Sequence, residues 1–293
     1  HDDLQYPRID SNAFFNLDFT GDVTIKENIQ IDSYAFYRCN FMGAKTITIE
    51  DSGSKIGDYA FLNCTGNPHL RIGKVSVGKY AFYNFQNISS LTFTGEADPH
   101  PNPLPTSYNA GYSIGSYAFA LSVISSRIEI PSYYKSIEDH AFYFCAFTDS
   151  LKIYLFKVGA SAFANCTSID KTKSITLSFE HNLQYYTSYE SAKLIEEYAF
   201  FNTPVTGEFR IPPDIYSIRA AAFALCRNEF KLIISSDSIL KYIYPYAFYN
   251  SGLSGTLDLP KSVEEILKVI ETKKRNKFKL ITNVGGSEET GRK

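Results

Sequence analysis

The dipeptide Ala-Phe recurs ten times along the chain, at Ala13-Phe14, Ala35-Phe36, Ala60-Phe61, Ala81-Phe82, Ala118-Phe119, Ala141-Phe142, Ala162-Phe163, Ala199-Phe200, Ala222-Phe223 and Ala247-Phe248. Four residues ahead of each Ala stands Ile or Val, from Ile9 and Ile31 through to Ile218 and Ile243, so the frame is I-x-x-x-A-F. Three residues past the Phe, five copies carry Cys, at Cys39, Cys64, Cys145, Cys166 and Cys226, while Phe85, Leu121 and Thr203 fall in or beside that column. Behind each Ala-Phe comes a short apolar-polar-apolar segment, as in Ile47-Thr48-Ile49, Leu70-Arg71-Ile72 and Ile128-Glu129-Ile130, the pattern of a strand with one buried face. A unit this short with one strand cannot enclose a core. It must stack on its neighbours, with equivalent strands in parallel and the Ile, Ala, Phe and Cys columns forming one continuous interior. Ala is required where the chain passes closest to the next coil, and Phe fills the space Ala leaves.

These residues resemble the BspA-like leucine-rich repeats, with Ile56-Gly57-Asp58-Tyr59-Ala60-Phe61-Leu62-Asn63-Cys64 and Ile128-Glu129-Ile130-Pro131 among the closest matches, over about residues 9–266. The resemblance implies an α/β repeat solenoid: a right-handed leucine-rich-repeat stack of about ten coils, with a parallel β-sheet on the concave face and irregular or short helical connections opposite. It further implies an extracellular or cell-surface protein, adhesin-like and not an enzyme, that recognises a host or matrix protein or glycan. A structural coat or spacer module is the first alternative, and a carbohydrate-active enzyme on a repeat scaffold the second.

The expected organisation is a short N-terminal segment at 1–8, a solenoid at 9–260, a C-terminal cap at 261–284 and a disordered tail at 285–293. Ser262-Val263-Glu264-Glu265 reads as a capping box opening a short amphipathic helix through Ile266, Leu267 and Ile270. The competing reading takes Val263 and Ile266 as the start of an eleventh repeat without Ala-Phe, with 277–282 as a final strand. Residues 261–293 carry nine basic and five acidic groups, net +4, which leaves −6 on the remainder.

Steps between successive Ala residues are 22, 25, 21, 37, 23, 21, 37, 23 and 25. The two long steps hold insertions at 96–111, rich in proline, and at 180–194, rich in tyrosine. Both follow a strand, so both should leave the same edge, about 14 Å apart at the usual strand spacing. Tyr108, Tyr112, Tyr185, Tyr186 and Tyr189 are the binding candidates there, since tyrosine gives contact area at small entropic cost. The polar mid-strand column, Thr24, Thr48, Arg71, Thr92, Glu129, Lys152, Thr176, Arg210, Ile233 and Asp258, adds Arg71, Glu129, Lys152 and Arg210 as ligand-binding candidates. These charges look too dispersed for a catalytic cluster. The alternative for both sets is ordinary solvated surface.

Tyr precedes the Ala in six repeats, at Tyr34, Tyr59, Tyr80, Tyr117, Tyr198 and Tyr246, with His140, Ser161 and Ala221 in three others. A packing ladder with hydroxyls reaching water is the expectation, a carbohydrate platform the alternative. The cysteines are expected to be buried, reduced and inert, their thiols donating weakly to turn carbonyls, because side chains of equivalent residues run parallel and do not converge into bridges. Of the sequons at Asn63, Asn87 and Asn165, two arise from the repeat itself, which makes Asn87 the better acceptor.

Formal charge is 29 minus 31, or −2, which supplies no basic field for nucleic acid. No apolar run reaches the length of a transmembrane helix. His69, His100, His140 and His181 lie in different repeats, and no metal, phosphate-loop or nucleophile motif is found, so no cofactor or metal is expected.

Overall fold

The computed structural model describes residues 7–51, 55–95, 112–148, 150–154, 157–170, 175–180, 193–263, 265–266 and 277–282. Within each coil the Ile or Val of the repeat frame ends a short strand, and these strands align in parallel into one eleven-stranded sheet running the length of the molecule, from Arg8–Ile9 to Glu265–Ile266. The apolar-polar-apolar segments form a second face, divided into sheets of four, five and two strands. Between the two lies a third, narrower face of two-residue strands such as Thr65–Gly66 and Ala146–Phe147. Setting aside the end coils, beside which residues 1–6 and 267–276 lie outside the description, the chain winds a parallel β-solenoid of about nine turns.

The expected α/β character and the count of about ten coils are not confirmed. No helix occurs among the described residues, and strands occupy more than one face. The reason is local. The residue before Ala and the residue four further on both adopt left-handed backbone, as at Tyr59 (φ 62°) and Asn63 (φ 55°), and a helix cannot continue through either. Alternate N–H groups across this turn split their bonds. Ala60, Leu62 and Cys64 donate to carbonyls three residues back, whereas Tyr59, Phe61 and Asn63 donate to Lys79, Ala81 and Tyr83 of the next coil at 2.8, 2.7 and 3.0 Å. Gly57 is required by the same closeness, since a Cβ there would lie 2.4 Å from the Asp32 carbonyl carbon.

The interior is a set of columns. Phe36, Phe61, Phe82, Phe119, Phe142, Phe163, Phe200 and Phe223 are stacked face to face, successive centroids 4.6–5.4 Å apart. All five cysteines are free and buried, and their thiols donate to carbonyls of the preceding coil, Cys64 to Phe36 and Cys166 to Phe142 at 3.0 Å each. The coils without cysteine reveal what the column needs. Ser122 donates to Phe82 O at 2.8 Å and Thr203 to Phe163 O at 2.5 Å, so a hydroxyl serves there in place of sulfur, while Phe85 fills the position in another coil with a buried ring.

At the C-terminus Leu267 and Ile270 of the expected helix lie outside the described residues. Glu265–Ile266 pairs with Tyr242 and Ile243, and Lys277–Thr282 pairs with Ser254–Leu259, as the eleventh-repeat reading expects. The edge at Tyr242–Ile243 offers Glu265 and Ile266 backbone partners that an isolated helix turn lacks.

Candidate functional site

Ser90–Phe93 closes the four-stranded sheet of the second face and Ile128–Ile130 opens the five-stranded one, although their coils are consecutive. The inserted segment 96–111 lies between these strands in sequence and the ladder breaks at this point. Ser126 bridges the break: its Oγ accepts from the Leu91 N–H at 3.1 Å and donates to the Arg127 carbonyl at 3.0 Å, so a side chain stands where a neighbouring strand's carbonyl would be. An open cleft of about 430 Å³ lies along the break. Leu91, Phe93 and Pro131 give it apolar surface, and Arg127, Glu129 and Tyr154 bring charge and an aromatic ring. Hydroxyls of Ser90, Thr92 and Ser132 complete a mixed wall suited to hydrogen bonding a polar partner over an apolar floor.

One rim is fixed by a tyrosine cluster. Tyr133 and Tyr134 pack on Tyr112, and Lys74 Nζ sits 5.8 Å from the Tyr133 ring centroid. Burial pushes the Tyr133 phenol up to about 12, against a smaller opposing pull from the Gly95 backbone N–H. Its hydroxyl is buried, and the Gly95 N–H approaches it without reaching full hydrogen-bond geometry. Tyr134 is better satisfied, donating to Val75 O at 3.0 Å.

The candidates drawn from sequence divide into four groups. Tyr108, Tyr185, Tyr186 and Tyr189 lie outside the described residues. Tyr112 is half-buried in the strand Tyr112–Ile114, directly after the insertion, with its ring against Tyr133 and Tyr134. Glu129 and Lys152 pair directly in register and form an ion pair at 3.7 Å, so they are not dispersed as expected; Lys152 also lies 4.9 Å from the Tyr154 ring centroid. Arg71 stands between Thr48 and Thr92, and Arg210 pairs with Ile233; neither lines the cleft. The mid-strand column also shifts at two places, where Lys152 faces Ser178 while Thr176 pairs with Ser150, and where Thr176 pairs with Thr206 ahead of Arg210. A strand longer than three residues permits an offset by an even number of residues that keeps every side chain on its face.

Arg127, Ser126 and Tyr154 were not singled out from the sequence. The signal that points to them is the long step itself, because the coil after an insertion is where a ladder is most easily interrupted. Near the opposite rim His69 Nδ1 lies 2.7 Å from Ser90 Oγ, a nucleophile-base contact for which no carboxylate orients the ring among the described residues. Among the described residues no cluster of three metal-ligating side chains occurs, and no helix is long and apolar enough to cross a membrane.

The description "BspA type Leucine rich repeat region" matches the chain in six copies, over residues 5–98, 106–190 and 176–270. The chain belongs to the BspA-type leucine-rich repeat family. Members of this family are commonly surface or secreted and adhesin-like, and the repeat is typically non-enzymatic. No curated protein and no solved structure matches the chain. Within the BspA-type stack, both insertions follow second-face strands, Ser90–Phe93 and Ile175–Glu180, and precede strands of the long sheet, so both are rooted at one corner of the coil.

Proposed function

We propose that this BspA-type chain is a non-enzymatic, secreted or surface-exposed binding protein that recognises a host or matrix protein or glycan, using the cleft between Ser90–Phe93 and Ile128–Ile130 together with the two insertions rooted at the neighbouring corner. The observation that carries the reading is the interrupted ladder. A solenoid gains stability from every strand pair, so a break lined by Arg127, Glu129, Tyr154 and hydroxyls costs backbone pairing and gives recognition groups in return. Tyr108, Tyr185, Tyr186 and Tyr189, outside the described residues, are the further contacts this reading assigns to the insertions.

The test is capture from host extracellular material by the wild-type chain, a variant lacking residues 180–194 and the double variant Arg127→Glu, Glu129→Lys. A partner bound saturably by wild type and weakened at least tenfold in either variant supports the reading. Equal capture by all three rejects this site. Product release from a bound glycan, lost in Ser90→Ala, would replace binding by catalysis at the His69–Ser90 pair.

A further inference from the structure

The residue before each Ala forms a second aromatic ladder, outside the core. Tyr34, Tyr59, Tyr80, Tyr117 and His140 stack with centroids 4.9, 5.0, 4.8 and 4.6 Å apart and planes within 7°. All share left-handed backbone near φ 60°, which aims their side chains identically. The ladder accepts tyrosine and imidazole alike, so what it selects is a flat ring.

Beyond His140 the rungs alternate. Ser161 carries no ring, Tyr198 does, Ala221 does not, and Tyr246 does. Tyr198, Ala221 and Tyr246 keep the ladder backbone, at φ 58°, 53° and 60°, and their coils are consecutive: Tyr198 donates its N–H to Ala220 O and Ala221 donates to Pro245 O. The buried phenylalanines beneath step by 5.1 and 5.5 Å across the same three coils. Tyr198 and Tyr246 therefore stand two strand spacings apart, roughly 10 Å, which is the room one stacked ring occupies between two others. Each wall is braced edge-on by a second ring, Phe201 against Tyr198 and Tyr249 against Tyr246. At the base of the gap lies the Ala221 methyl group, 6% exposed, with Ala224 buried behind it. Unlike the stacked tyrosines, which are half-buried, Tyr198 and Tyr246 are 45% and 44% exposed.

We infer that the slot over Ala221 is a binding site for one aromatic side chain of a partner polypeptide, which inserts between Tyr198 and Tyr246 and completes the ladder. A planar ring meets both walls face to face at the spacing the ladder already uses, and the methyl floor leaves a puckered, hydroxyl-bearing sugar ring without polar partners at its buried edge. The slot lies on the turn that follows the long sheet, a different corner of the coil from the cleft, so it stands or falls independently of that site.

The test uses the full chain with tyrosine rings isotope-labelled, titrated with N-acetyl-tyrosinamide and separately with methyl β-glucopyranoside. The expected result is a saturable upfield shift of the probe ring and of Tyr246, assigned with Tyr246→Phe, and no saturable shift with the sugar. Ala221→Tyr fills the slot with a residue the same backbone accepts at six other rungs, and should abolish the shift. Should that variant fail to fold by circular dichroism, Tyr246→Ala removes one wall and should weaken probe binding at least tenfold. No saturable shift in wild type, a shift that survives in a folded Ala221→Tyr or in Tyr246→Ala, or a sugar response equal to that of tyrosine would each overturn the assignment.

Discussion

Phe142→Ala removes one ring from the middle of the buried column and tests whether the stack is held together along its axis. Phe142 is fully buried and lies between Phe119 and Phe163, 5.0 Å from each with planes within 8°. Burial of the side chain is worth about 1.5–3 kcal/mol, and each lost stacking contact adds about 0.5–1.5, so the cost falls at about 3–5 kcal/mol, as large-to-small aromatic substitutions in cores do. Phe14 occupies the same column at its first coil, stacked on Phe36 at 5.0 Å, but it is only half-buried. Phe14→Ala should therefore cost about half as much. The chain has 22 Tyr and no Trp, so urea unfolding is followed by tyrosine fluorescence and circular dichroism. Because each coil contacts only its neighbours, the central variant should also split unfolding into two transitions, one for each half of the stack. Equal losses at Phe142 and Phe14, or a loss below about 1 kcal/mol at Phe142, would refute the column as the source of stability.

Three further outcomes follow from the same geometry. Thr203→Val keeps the volume but leaves the Phe163 carbonyl without its donor, and should lower unfolding free energy by about 1–3 kcal/mol, while Thr203→Cys should recover most of it; urea midpoints decide. Burial holds the Cys226 thiol up near 12 against an ordinary 9.0, and Cys64 and Cys145 are raised for the same reason. The folded state thus binds protons that the unfolded state releases: stability from these thiols is whole below pH 9 and is lost as pH climbs from there through 12, so urea midpoints should fall between pH 8 and pH 10, and a flat profile would contradict their burial. Ser126→Ala removes the acceptor for the Leu91 N–H at the break and should destabilise by about 1–2 kcal/mol, without altering the midpoint difference between Phe142→Ala and wild type.

The solenoid was legible because its evidence is periodic. Ile at the fourth residue before Ala, Ala-Phe itself and the alternating strand each recur at fixed offsets, and a single coil has no other way to bury them. What escaped was whatever depends on pairing between coils. The two-residue strands of the third face, such as Thr65–Gly66, have no pattern of their own and exist because Asn40 and Phe41 lie alongside. The two-residue slip at Thr176 preserves alternation and is invisible to it. Ser262 to Glu265 satisfies a helix-start rule, yet residues 265–266 join a sheet edge that sequence reasoning offered only as the competing account. Of the site, Glu129 and Lys152 were named, but their ion pair required knowing that the coils stack in register.

Both sites argued here come from departures against a repeating background. In a repeat every position has neighbours that define what belongs there, so a small residue where others carry rings, or a hydroxyl where others carry a backbone carbonyl, is measured against an internal standard. Ala221 between Tyr198 and Tyr246 leaves a space whose width the other rungs set. Ser126 substitutes for one missing strand contact and leaves Leu91 satisfied while Ser90 and Thr92 face an open cleft. Neither departure is needed to close the core, since Phe119, Phe142, Phe200 and Phe223 are fully buried at the same levels. A regular stack would be at least as stable without them, and that excess of stability forgone is the physical ground for assigning recognition to these two places and not to the uninterrupted sheet.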